Sequence, residues 1–104
     1  MSAQSSWPDA DRPLPSRSTA SDTTTCYSLQ AAADPGLMPR IVEIFARRGL
    51  VPTRLHVSVG GPRNDLSIDL EMAGMAPRDA DRIAVEMRAL WGVDLVLTTQ
   101  KRGA

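Results

Sequence analysis

Residues 53–72 read TRLHVSVGGPRNDLSIDLEM, two alternating apolar runs joined by a cluster of turn formers. In the first run Thr53, Leu55, Val57 and Val59 share one face; in the second, Leu66, Ile68, Leu70 and Met72 do. Strict alternation is the pattern of half-buried strands, and so short a connection joins them as antiparallel neighbours. A one-residue slip would turn one whole apolar set to water, so only pairings that match the two faces are allowed. Placing Val59 opposite Leu66 leaves a turn from Gly60 to Asp65. The outward pairs are then Ser58 with Ser67, His56 with Asp69 and Arg54 with Glu71. Two opposite-charge pairs thus face each other across the strands, each worth about 0.2–1 kcal/mol. A two-residue shift loses one of them, so sheet pairing, rather than chemistry, accounts for His56 and Arg54.

Working outward, Cys26 to Ala31 alternates with Tyr27, Leu29 and Ala31 on one face, and Asp34-Pro35-Gly36 breaks that strand. From Leu37 to Arg48 the apolar residues Leu37, Ile41, Ile44 and Phe45 fall at i, i+4, i+7 and i+8, a helical stripe. Pro39 lacks an N–H, which is harmless only in the first turn, so Gly36 is the expected N-cap. Gly49 suits the C-terminal stop. On the other side Pro77 opens a second helix with Ala80, Ile83, Met87 and Leu90 inward, and Gly92 ends it. Val93, Leu95 and Leu97 alternate as a fourth strand. With each inward set apolar, the order β-α-β-β-α-β predicts an α+β, ferredoxin-like fold: a four-stranded antiparallel sheet with two helices on one face.

The 104 residues, 42% of them apolar, suffice for one domain. Residues 1–24 hold only Met1, Trp7 and Leu14 as large apolar side chains. Such a stretch cannot offset its ordering entropy, so a disordered N-terminal tail is expected there, with Trp7 packing against nothing. The domain is placed at 25–99 and a frayed C-terminus at 100–104. Twelve basic and twelve acidic residues cancel, which argues against a general nucleic-acid or anionic-membrane binder. No apolar run approaches the ~18 residues of a membrane span. The start lacks a secretory signal, and Asp9 and Asp11 fit a transit peptide poorly, so a cytoplasmic location is expected. With one cysteine, Cys26, and one histidine, His56, neither an intrachain disulfide nor a multi-histidine metal cluster is possible.

Three functions compete for this fold. RNA binding needs aromatic residues on the open face of strands one and three. Those faces carry Cys26, Ser28 and Gln30, then Ser67, Asp69 and Glu71, whose carboxylates repel phosphate. A phosphate-binding enzyme loop at Gly60-Gly61-Pro62-Arg63-Asn64 would sit at a hairpin turn, away from any helix N-terminus where backbone donors converge. His56 has no serine or cysteine nucleophile near it in sequence. A regulatory or docking module remains.

Asp34-Pro35-Gly36-Leu37-Met38-Pro39-Arg40-Ile41, followed by Ile44-Phe45-Ala46-Arg47-Arg48-Gly49, resembles the first helix of an ACT domain. The stretch from Asp69-Leu70-Glu71 through Ala76-Pro77-Arg78 to Leu90-Trp91-Gly92-Val93-Asp94 is similar to the short form of one ACT family, the small regulatory subunits of acetolactate synthase (acetohydroxyacid synthase). The resemblance covers about residues 25–98. It implies a non-catalytic regulatory subunit of a thiamine-diphosphate-dependent synthase in branched-chain amino-acid biosynthesis. Such a chain dimerises through strand 53–59 and docks on an acetolactate synthase catalytic subunit, which carries thiamine diphosphate, FAD and magnesium. No cofactor is expected on this chain.

The resemblance also places an amino-acid site at the first strand–helix junction, with Asp34, Gly36, Leu37, Met38 and Val51 as candidates. A helix N-terminus opened by glycine lets an anionic group approach backbone donors, which suits a small amino acid's carboxylate. Valine-sensitive relatives carry amide side chains at the positions held here by Ala33 and Val51, neither of which can hydrogen-bond through its side chain. Each unsatisfied ligand group costs about 1–3 kcal/mol, so weak or absent valine feedback is expected. The alternative is a free-standing ACT sensor acting on another enzyme.

Overall fold

The computed structural model describes residues 23–102. The expectations for residues 1–22, Trp7 included, lie outside that range. The chain runs β1 (Thr23–Ala31), α1 (Leu37–Arg47), β2 (Arg54–Gly60), β3 (Asp65–Ala73), α2 (Pro77–Arg88) and β4 (Val93–Arg102). The strands form one antiparallel sheet in the order β2-β3-β1-β4, with both helices on one face. This is the ferredoxin-like architecture. The central hairpin has the expected register: Val59 pairs with Leu66, Ser58 with Ser67, His56 with Asp69 and Arg54 with Glu71.

The core lies between the helices and the three strands β1, β3 and β4. Tyr27, Leu29, Ala31, Leu66, Ile68, Leu70 and Val96 meet Leu37, Ile41, Ile44 and Phe45 from α1 and Ala80, Ile83, Ala84 and Met87 from α2. Leu90 and Met72 pack at its margin. Across the helix pair, Arg48 forms a hydrogen-bonded ion pair with Glu86, and Arg47 stands 4.0 Å from the same carboxylate. Both ends of α1 and the start of α2 at Pro77 follow their sequence signals. But α2 stops at Arg88, four residues before the Gly92 that was expected to end it, and Leu90 lies beyond the helix. Gly36 caps α1, and Gly49, at φ 73°, takes the left-handed position after it.

Gly92 closes the α2–β4 connection at φ 95°, and its carbonyl accepts from the Ala32 N–H at 2.8 Å. A Cβ there would meet Leu37 Cδ2 at 3.3 Å and Ala32 Cβ at 3.7 Å. Gly92→Ala is therefore expected to combine backbone strain of about 1–3 kcal/mol with pressure on a core leucine. Thermal unfolding checks this: a fall in Tm of roughly 5–15 °C is expected, and an unchanged Tm would mean that the loop relaxes freely.

Tyr27, the single tyrosine, is buried with its hydroxyl donating to the Ala80 carbonyl at 2.8 Å. Burial, reinforced by the Asp81 carboxylate and partly opposed by Arg48, pushes its pKa up to about 12. The folded pKa lies above the ordinary value near 10. Its contribution to stability is therefore whole below pH 10 and is lost as pH rises toward 12. Tyrosinate absorbance is expected to titrate near pH 12 in the native protein and near pH 10 in denaturant. Coincident curves would contradict this. Tyr27→Phe removes that pH dependence and, through the lost hydrogen bond, costs about 0.5–1.5 kcal/mol at neutral pH.

Four further features depart from the sequence reading. First, β1 begins at Thr23 and β4 runs to Arg102, because these ends pair with each other, Thr23 with Arg102. Residues 100–102 are therefore strand, where a frayed end was expected. Second, Leu95 and Leu97 point away from the core and Val96 points in. Ala31 pairs with Val93 while Gln30 pairs with Leu95, leaving Asp94 as an extra residue, and such a bulge flips the side-chain alternation that follows it. Third, β2 contributes no fully buried side chain, and Leu55 and Val59 are 42% and 59% exposed. Bonds from Tyr27 to Ala80 and from Arg88 to the Val96 carbonyl hold α2 over β1 and β4, and the helix layer stops short of β2. Fourth, the paired charges of the hairpin do not touch. Among the described residues no ion pair joins Arg54 to Glu71 or His56 to Asp69, and Glu71 instead lies 3.5 Å from Lys101 across β1.

Candidate functional site

The junction between β1 and α1 is built by backbone. The Asp34 N–H donates to the Ala32 carbonyl at 2.8 Å, and the Leu37 N–H to the Asp34 carbonyl at 3.0 Å. Gly36 is exposed in an ordinary helical conformation, φ −82° and ψ −8°. The space around it is open: a Cβ at Gly36 would find only Asp34 Oδ2, at 3.9 Å. Glycine at this position keeps that approach clear. The Leu37 N–H is committed and Pro39 has none, so of the first three helical residues Met38 offers its N–H to a ligand. No side chain caps the helix. A ligand anion here would meet the Met38 N–H and the positive end of the helix.

The candidates are only partly brought together. Asp34, Gly36 and Met38 share the junction, with Asp34 half-buried and Met38 exposed. The Leu37 side chain turns into the core, so only its backbone belongs to the junction. Val51, 80% exposed, follows the opposite end of α1. Eleven helical residues separate the two ends by about 16 Å, so one protomer does not carry Val51 to Gly36. Spacing along the sequence does not show this separation; the rise of the helix does.

Two further surfaces were only partly legible in the sequence. The helix-side face of β2 exposes Leu55 and Val59 beside a strand edge that no other described strand pairs. The opposite, open face of the sheet is concave and gathers Arg54, His56, Asp69 and Glu71. Among the described residues no group of three His, Cys, Asp or Glu side chains is placed to hold a metal ion. Nor is any helix there long and apolar enough to cross a membrane.

A family model for the ACT-like domain matches residues 18–102. The chain belongs to the ACT-like domain family. No curated protein matches it in sequence. Among solved structures it is similar to the C-terminal domain of the MgtC protein from Mycobacterium tuberculosis, with TM-score 0.63 and 13% identity over 79% of this chain and 90% of that one. It is also similar to the ACT domain from GTP pyrophosphokinase of Chlorobium tepidum, with TM-score 0.61 and 9% identity over 73% of this chain and 96% of that one. The regulatory subunit of aspartate kinase from Thermus flavus gives TM-score 0.59 and 14% identity over 79% of this chain and 52% of that one. At these identities the likeness establishes the fold. ACT domains are regulatory modules without catalytic machinery, and membership places this chain among them.

Proposed function

We propose that this ACT-like chain is a non-catalytic small subunit that activates and stabilises the catalytic subunit of acetolactate synthase, with little or no valine feedback. The observation that carries the reading is the uncovered face of β2, where Leu55 and Val59 lie exposed beside backbone donors and acceptors that no other described strand pairs. Such an edge is stabilised by another chain. Antiparallel pairing of two copies about Val57, the midpoint of Arg54–Gly60, sets Leu55 against Val59 of the partner subunit and doubles the sheet. A ligand site that uses both Gly36 and Val51 then requires the second copy. Ala33 and Val51 supply no side-chain hydrogen bond to an amino acid, which supports activation without valine sensing. The cofactors of the synthase reaction belong, in this reading, to the catalytic subunit.

Co-purification with the host's acetolactate synthase catalytic subunit tests the partnership. A stable complex is expected. If the dimer forms but captures no catalytic subunit, the partnership fails and a free-standing amino-acid sensor takes its place.

A further inference from the structure

Pairing of two copies through β2 brings together side chains that a single chain does not. One chain holds a single histidine, His56, exposed on the open face of the sheet, where it lines a concavity of about 550 Å³. Its register partner on β3 is Asp69, yet no ion pair joins the two among the described residues. Sheet pairing within the protomer thus leaves the imidazole unengaged by that carboxylate. His56 adjoins Val57, the midpoint of Arg54–Gly60. In an antiparallel pair of β2 strands about Val57, His56 stands opposite Ser58 of the partner subunit. The two His56 residues are then diagonal neighbours on one face, about 7–8 Å apart and within reach of aromatic side chains. Two imidazoles over one two-fold axis can meet on an ion held about 2.0–2.1 Å from each nitrogen.

We propose that the β2-paired dimer binds one divalent transition-metal ion on its two-fold axis, through His56 of each copy, and that the ion tightens the pair. Imidazole suits zinc, nickel and copper, whereas magnesium and calcium take oxygen ligands. Asp69, directly across from His56, is a positioning residue: its carboxylate accepts the second ring N–H, as carboxylates beside metal-bound histidines do. The Ser58 hydroxyls, the other open-face groups beside the axis, and water complete the coordination. Arg54 is three residues from Val57, about 10 Å along the strand from the axis, and Glu71 leans away to Lys101. One chain alone has no group of three metal-binding side chains among its described residues; the second copy completes the site. The inference rests on the β2 pairing put forward above and is independent of the acetolactate synthase partnership.

Sedimentation equilibrium of the full chain in EDTA, in zinc and in magnesium, with bound zinc counted by elemental analysis, tests the proposal. One zinc per two chains is expected. With free zinc a hundred-fold above its dissociation constant, the dimer dissociation constant should fall about a hundred-fold relative to EDTA. Magnesium should leave it at the EDTA value. His56→Gln is expected to take up no zinc and to show one dimer constant in zinc and in EDTA. Asp69→Asn should keep the stoichiometry but bind zinc about ten-fold or more weakly; an undiminished zinc affinity would remove Asp69 as the positioning residue. Both side chains are exposed, so neither change should alter the circular dichroism of the protomer. A dimer that takes up no zinc, one zinc per chain, or a zinc response that survives His56→Gln overturns the proposal. A dimer indifferent to zinc that Val59→Asp still breaks keeps the β2 pairing and loses only the metal site. A chain that is monomeric in zinc and EDTA alike loses both.

Discussion

Replacing Phe45 by alanine is expected to remove about 3–5 kcal/mol of stability, a large share of the roughly 5–15 kcal/mol that holds a domain folded. Phe45 is fully buried, and its ring meets the Tyr27 ring edge-on at 6.1 Å with an interplanar angle of 78°. That contact ties α1 to the central strand β1, and Tyr27 in turn is bonded to α2 through Ala80. The truncation therefore opens a cavity where the two helices and the sheet meet. Urea or thermal unfolding measures it, with a fall in Tm of roughly 12 °C or more expected. Val85→Ala, at an exposed position on α2, serves as the contrast and should stay within about 0.5 kcal/mol. A Phe45 effect as small as that of Val85 would mean that neighbouring side chains collapse into the space.

Val59→Asp is expected to convert a dimer into a monomer without unfolding it. In the single chain Val59 is exposed, so a carboxylate there stays in water and changes protomer stability little. In a dimer paired about Val57 the same carboxylate is buried against Leu55 of the partner subunit with no counter-charge. Uncompensated burial of a charge costs about 3–5 kcal/mol, equivalent to a rise in dissociation constant of more than about a hundred-fold. Sedimentation equilibrium at micromolar concentration should show a wild-type dimer and a monomeric variant with an unchanged circular dichroism spectrum. A wild-type monomer, or a variant that still dimerises, removes strand β2 as the interface.

The fold was legible because apolar alternation leaves few choices. Leu66, Ile68 and Leu70 can face the helices only if Leu55, Val57 and Val59 share their side, and the hairpin register follows from that. Three things were not legible, each for a physical reason. An alternating strand announces which side chains share a face, not whether a helix covers it, so β2 read like a core strand although its apolar face is open. The bulge at Asp94 inserts one residue, which a period-two pattern cannot reveal, and it sends Leu95 and Leu97 outward. The charge pairs of the hairpin were placed correctly by register, yet Glu71 is drawn to Lys101, a residue on a strand end that composition alone assigned to a frayed terminus.

The candidate site was legible only in its local part. Asp34, Gly36 and Met38 adjoin in sequence and in space, while Val51 is separated from them by the length of α1. The inward turn of Leu37 follows from its place in the helical stripe, so its side chain was core from the outset. The open-face concavity draws on all four strands, whose order in space, β2-β3-β1-β4, differs from their order in the chain.

The regulatory account is tested most directly by the turnover of the acetolactate synthase catalytic subunit, measured as this chain is titrated in, with and without millimolar valine. The account predicts a rise in turnover that saturates at a fixed ratio of the two chains and that valine leaves largely intact. A turnover unchanged by the chain, or an activated enzyme strongly inhibited by valine, would contradict it.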